Sequence, residues 1–166
     1  MDLFEAIEKR ASVRTYQPTV VPEADLRRIV DAGRRAPSGG NRQPLRFIVV
    51  TRRETLDALG AVQDALRSAS AAVAIVADPA ASRWWLEDAS AAAENMLLAI
   101  TALGYASVWI EGTLLKQEDA VKRLLGVPEA QRVVILLPIG KAPQPTPQAD
   151  KKPLAEVMFR ERWGQR

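Results

Sequence analysis

Residues 84–103 contain neither proline nor glycine, and alanine is abundant among them. That composition predicts one long helix. Its apolar residues lie nearly all round the cylinder, so the helix has no wet face and has to be central and buried. Gly104 stands where a C-cap is needed. The remaining elements must pack around this one. Apolar runs at residues 47–51, 72–77 and 133–137 predict strands, the second stopped by Asp78-Pro79 and the third by Pro138 and Gly140. Residues 106–110 predict a further short strand or extended segment. Leu3, Phe4 and Ile7 sit at helical spacing within residues 2–10. Pro22, with Glu23 and Asp25 behind it, opens a helix to about Arg35 whose inner face is Leu26, Ile29 and Val30. Residues 54–69 predict helix with a break near Ala61, and residues 116–125 predict a helix capped by Gly126. Residues 142–150 are rich in Pro and Gln and predict an exposed linker. A tail at residues 151–166 follows, with apolar residues at helical spacing from Leu154 to Trp163. Helices that alternate with strands predict a mixed sheet covered on both faces.

At 166 residues the chain has the length of one domain, 1–166. Cysteine and histidine are both absent. Disulfides, thiolate nucleophiles, Cys- or His-ligated metals and Ser-His-Asp triads are thereby excluded. Chemistry has to come from hydroxyls, carboxylates, Lys, Arg, the backbone or a borrowed cofactor. No apolar run approaches the roughly 18–20 residues of a membrane span. The opening MDLFEAIEKR lacks the pattern of a signal peptide. The expectation is a cytoplasmic protein with no membrane partner.

The net charge of +3 is unevenly spread. Residues 1–53 carry 11 Lys/Arg against 6 Asp/Glu, and residues 54–166 carry 12 against 14. A basic first third suits a nucleic acid or a small anion. With aromatics at 5% and no Lys/Arg run or nucleic-acid-binding signature, the small anion is the better match.

Five constellations can carry chemistry. In Arg10-Ala11-Ser12-Val13-Arg14, continued helical spacing would put both guanidinium groups on one side, suited to a phosphate monoester. A solvated basic helix end fits the same residues. In Pro37-Ser38-Gly39-Gly40-Asn41-Arg42-Gln43-Pro44, glycines allow close backbone approach, and Asn41 and Gln43 suit a heteroaromatic edge. A polar connection is the plainer reading. Glu111-Gly112 after an extended segment can present a bare N–H, or can be a simple turn. Lys151-Lys152 can return to the same anion, or belong to an exposed tail. Asp88, Glu94 and Asn95 interrupt the apolar helix and need partners, in a neighbouring element or another subunit.

In this order the motifs resemble the FMN-dependent nitroreductase family across nearly the whole chain. The resemblance rests on Arg10–Arg14, residues 36–44, Asp88 with residues 94–99, Leu103-Gly104, Trp109-Ile110-Glu111-Gly112, residues 137–140 and Lys151-Lys152-Pro153-Leu154. It implies an α+β fold with a central mixed, mainly antiparallel sheet flanked by helices. It also implies an intertwined homodimer with FMN in the subunit interface. By the same resemblance Arg10, Ser12 and Arg14 bind the phosphate and ribityl chain, joined by Lys151 or Lys152. Pro37, Ser38, Gly39, Asn41 and Gln43 line or contact the flavin, Gln43 from the partner subunit in one arrangement. Glu111 and Gly112 bring backbone close to flavin N5. The implied activity is reduction of nitroaromatic, quinone or similar small-molecule acceptors by NADH or NADPH, in ping-pong fashion through N5. No metal is implied. Residues 53–70 and 78–84 leave little room for inserted helices, so the site should be open or covered by the partner's tail. A carrier or sensor that holds FMN without turnover is the alternative, and a nucleic-acid module is a third.

Overall fold

The computed structural model describes residues 1–165. In chain order its elements are α1 (Leu3–Lys9), α2 (Glu23–Arg34), β1 (Leu45–Val50), α3 (Arg53–Leu59), α4 (Ala65–Ser68), β2 (Ala71–Ala77), α5 (Trp85–Ala102), α6 (Gly112–Leu115), α7 (Glu118–Leu125), β3 (Arg132–Ile139) and α8 (Leu154–Val157), with a 3-10 turn at Gly39–Asn41. Strand β2 is buried at every position and lies between β1 and β3, paired antiparallel to both. Its small, unbroken apolar run is what a strand covered on both faces requires. Successive residues alternate between two cores. Ala72, Ala74 and Val76 face α3, α4, α6 and α7 through Leu56, Leu66, Leu114 and Val121. Ala71, Val73, Ile75 and Ala77 face α2 and α5 through Ile29, Ala93, Met96 and Ile100. The expected α+β architecture, with helices on both faces of the sheet, is therefore present.

Helix α5 is the central element, and the left-handed backbone at Gly104 (φ 76°) ends it. The break near Ala61 separates α3 from α4 as expected. Two local readings need correction. Strand β3 runs through Pro138 to Ile139, where a stop was expected. Residues 106–110, expected as a short strand or extended segment, are an extended segment with isolated bridges. They bridge β3 at Ile110↔Leu136 and the residue just after it at Ala106↔Gly140. Both facts have one cause. In that register Val108 falls opposite Pro138, which has no N–H to give. The proline therefore keeps its place in the β2 ladder while interrupting the outer one.

The tail is the second correction, because helix occupies only Leu154–Val157 of the residues at helical spacing. Leu154 and Trp163 are 70% and 92% exposed, so nothing rewards further helix. Arg166 of the expected tail lies outside the described residues. Among the described residues, no helix is long and apolar enough to cross a membrane.

An ion pair ties α7 to the sheet. Arg132 donates from Nε and Nη2 to both carboxylate oxygens of Glu118, which also accepts from the Val133 N–H at 3.0 Å. Burial raises the Glu118 pKa, but the Arg132 and Val133 donors outweigh it and hold the carboxyl below its ordinary value. A lowered folded pKa stabilises above the unfolded value and is lost as pH falls through the folded one. Glu118→Gln should cost about 1–2 kcal/mol at pH 7. It should also flatten the loss of stability below about pH 4 to 5. Denaturant midpoints at pH 7 and pH 3.5 for both proteins check this. Equal differences at the two pH values would contradict it.

Candidate active site

Helix α1 opens with a capping box between Asp2 and Glu5 and stops at Arg10, whose backbone is already extended (φ −61°, ψ 120°). Helical spacing does not continue through Arg14. The chain instead lies against residue 107 as an extended segment, with the Val13 N–H donating to the Ser107 carbonyl at 2.9 Å. The consequence is the same face by a different period. Alternation along an extended chain puts Arg10, Ser12 and Arg14 on one side, while Val13 is buried in the core on the other. Ser12 and Arg14 are exposed and Arg10 is half-buried. Among the described residues neither guanidinium has a carboxylate partner. Arg27, Arg34, Arg35, Arg53, Arg67 and Arg132 all do. The two cations at the start of the chain are thus held free of internal compensation.

The late basic pair comes to the same end of the molecule. Gln148 donates through Nε2 to the carbonyls of Ile7 and Arg10, both at 2.9 Å. The exposed linker is thereby pinned to the end of α1. Lys151 follows three residues later, within about 10 Å of extended chain. Lys151 Nζ donates to the Ala149 carbonyl and stays exposed, as does Lys152.

Residues 37–43 form the second group. Gly40, Asn41 and Gln43 all have positive φ (58°, 53° and 50°). That conformation is uncommon for residues with a Cβ and most readily met by Asn and Asp. The turn is held from both sides. Ser38 Oγ accepts from the Gln43 N–H at 3.0 Å, and the Gly39 N–H donates to Asp88 Oδ1 at 2.8 Å. Asp88 is buried and also accepts from the Ser82 hydroxyl at 3.0 Å. Trp84 lies directly against Gly39, since a Cβ there would meet its ring at 2.4 Å. Pro37, Ser38 and Gln43 line a cavity of about 330 Å³ with Val30, Arg46 and Phe47. Asp88 and Asn95 thus do join α5 to its neighbours, Asn95 through a bond to the Ala32 carbonyl, while Glu94 is exposed. Ser82 was not identifiable from sequence. It is a lone serine in a loop, and only its place beside Asp88 gives it a role.

Glu111 and Gly112 follow the 106–110 segment. Gly112 heads α6, and a Cβ added to it would meet nothing within 4 Å. Gly112 is exposed and the space beside its Cα is open, in contrast to the crowded Gly39.

Within the chain these groups are attached near opposite ends of α5. The 37–43 turn is fastened near the start of α5 through Asp88, and the 10–14 segment pairs just beyond the end of α5 through Ser107. About 20 Å of helix axis separates Asp88 from Ala102. The residues suit a phosphorylated flavin: unpaired cations for a dianion, open backbone at Gly112, and amide side chains at 41 and 43. The buried Ser107 Oγ beside Ser12 also has no hydrogen-bond partner among the described residues. No cluster of His, Cys, Asp and Glu suited to a metal occurs among the described residues.

Comparison with known proteins agrees in extent and fold. The model of the nitroreductase family matches residues 7–69 and 60–141. A protein of Archaeoglobus fulgidus with the provisional name NADH dehydrogenase/NAD(P)H nitroreductase is 36% identical, over 98% of this chain and 99% of its own. A provisionally named nitroreductase of Desulfovibrio desulfuricans, solved in complex with FMN, superposes with a TM-score of 0.86 at 30% identity, covering 98% of each chain. An FMN-dependent nitroreductase of Clostridium difficile superposes with a TM-score of 0.85 at 27% identity, covering 94% of this chain and 98% of its own. The chain, matched over most of its length by the family model and over nearly all of it by such a relative, belongs to the nitroreductase family.

Proposed function

We propose that this protein is an FMN-dependent NAD(P)H oxidoreductase that works as a twofold homodimer, all of 1–166 forming one FMN-binding domain. What carries the reading is the pairing of two uncompensated arginines with Ser12 on one extended face, at the opposite end of α5 from the 37–43 turn. Each half is built for part of a flavin nucleotide, and a twofold axis supplies the other half from a second copy. The exposed apolar tail supports association as well.

In this arrangement Arg10 and Arg14 neutralise the phosphate through charge-assisted forks, with Lys151 or Lys152 adding charge from the tail. Ser12 donates a hydroxyl. Pro37, Ser38 and Gly39 offer a shaped wall held by Asp88, and Asn41 and Gln43 hydrogen-bond the ring edge. The Glu111-Gly112 backbone would contact the flavin, with the Gly112 N–H as a donor to it. When bound, FMN supplies reversible two-electron hydride chemistry, which a chain without His or Cys has to borrow. Donor and acceptor take turns at one open face, so the rate pattern is ping-pong. The acceptors are small oxidised molecules, nitroaromatics and quinones among them.

The decisive experiment is a visible spectrum of the purified protein, before and after NADH or NADPH is added without oxygen. A bound-flavin spectrum that bleaches is expected. Flavin that stays oxidised with both donors would mean a carrier or sensor. A protein that takes up no flavin even when incubated with FMN would overturn the proposal. Light scattering should give twice the 18.2 kDa chain mass. A monomer that still holds FMN would contradict the interface site.

A further inference from the structure

We infer that Ser107 is a positioning residue of the phosphate arm, acting through Ser12; this rests on the FMN reading above. Ser107 is 4% exposed, and its Oγ has no hydrogen-bond partner among the described residues. Buried hydroxyls normally find partners, so an orphan at this position needs a reason. Its neighbour supplies one. Ser12 and Ser107 are bridge partners, so their side chains project to the same side of the paired segments. The exposed Ser12 hydroxyl shares its face with Arg10 and Arg14. Ser107 lies directly beside it, one layer in.

Hydroxyls on two paired residues can serve one anion in series. Ser12 donates its single proton to a ligand oxygen and keeps lone pairs to accept with. A hydroxyl that donates to an anion is polarised and becomes a better acceptor. Ser107 then donates to Ser12 and is satisfied. In the structure the two hydroxyls are not hydrogen-bonded to each other, so the Ser12 side chain has to turn toward Ser107 as its own proton goes to the ligand. The cost of the orphan is therefore borne by the free protein and relieved on binding. Removing the Ser107 hydroxyl should consequently act in opposite directions on stability and on affinity.

The test is FMN titration, by quenching of flavin fluorescence, of wild type, Ser12→Ala, Ser107→Ala and the double variant, with melting curves taken without FMN. Ser107→Ala is expected to weaken FMN binding about fivefold, the size of one neutral hydrogen bond, and to melt no lower than wild type. In the Ser12→Ala background the same change should leave affinity untouched, because the relay is already cut. Equal affinity of Ser107→Ala and wild type would overturn the inference. Additive losses in the double variant, or a lower melting temperature of the free Ser107→Ala protein, would overturn it too, since either marks a merely structural serine. Failure of the wild type to bind FMN would instead sink the flavin reading, and this inference with it.

Discussion

Alanine at Arg10 or Arg14 should weaken FMN binding by about 1–3 kcal/mol each, roughly 5- to 150-fold, the size of a charge-assisted hydrogen bond at a partly exposed site. This is the largest effect expected on the ligand. Neither guanidinium has an internal carboxylate partner among the described residues, so truncation breaks no structural ion pair. Arg14 is exposed and Arg10 half-buried at the end of α1, so the fold should be little disturbed. Losses should grow in the double variant and shrink in high salt, as screening predicts for a partly exposed charge pair. Riboflavin, which lacks the phosphate, should bind wild type and variants much more equally. The check is a titration with both flavins at low and high ionic strength. Unchanged FMN affinity in both single variants would sink the phosphate assignment. Equal losses for riboflavin would show that the arginines shape the site without reading the phosphate.

How far this arrangement was legible beforehand depended on whether a pattern has one physical reading. The all-apolar run of β2 has one, and so does the proline- and glycine-free span of α5. The Arg10, Ser12, Arg14 spacing has two. Residues at i and i+4 share a face of a helix, and they share a side of an extended strand, so the face was legible and the backbone was not. Adding Ser12 at i+2 fits only the extended case, and Val13 as the buried alternate is the signal that could have decided it. Pro138 misled for a related reason. A proline ends a strand when its missing N–H is needed by the ladder that defines the strand. Here the missing donor faces the outer segment, and only the pairing register of β2, β3 and residues 106–110 discloses that. Asp88 was visible as a polar residue in an apolar helix. Its partners were not, because Gly39 is 49 residues away and the bond to it is tertiary.

Asp88→Ala should lower stability by about 2–4 kcal/mol, the largest effect expected on the fold. The carboxylate accepts from the Gly39 N–H at 2.8 Å and from the Ser82 hydroxyl at 3.0 Å. Hydrogen bonds to a charged acceptor contribute about 1.5–3 kcal/mol each, and truncation leaves the Ser82 hydroxyl buried without that acceptor. Asp88→Asn should be milder. Its amide oxygen can still take the Gly39 N–H, and its NH₂ can donate to Ser82 Oγ, which already accepts from the Trp84 N–H at 3.2 Å. Function should follow stability here, since Asp88 is what fixes the 37–43 turn in its positive-φ conformation against Trp84. A released turn would have to be ordered again by each ligand, and that ordering subtracts from affinity. Denaturant midpoints and hydrogen exchange at residues 39–43 measure the two consequences separately. In the alanine variant the exchange of Gly39 should rise by more than the global loss of stability explains. If Gly39 exchange rose only in step with global unfolding, the turn would be held by its own Ser38–Gln43 bond and by Trp84. Asp88 would then be part of the core of α5 and no determinant of the site.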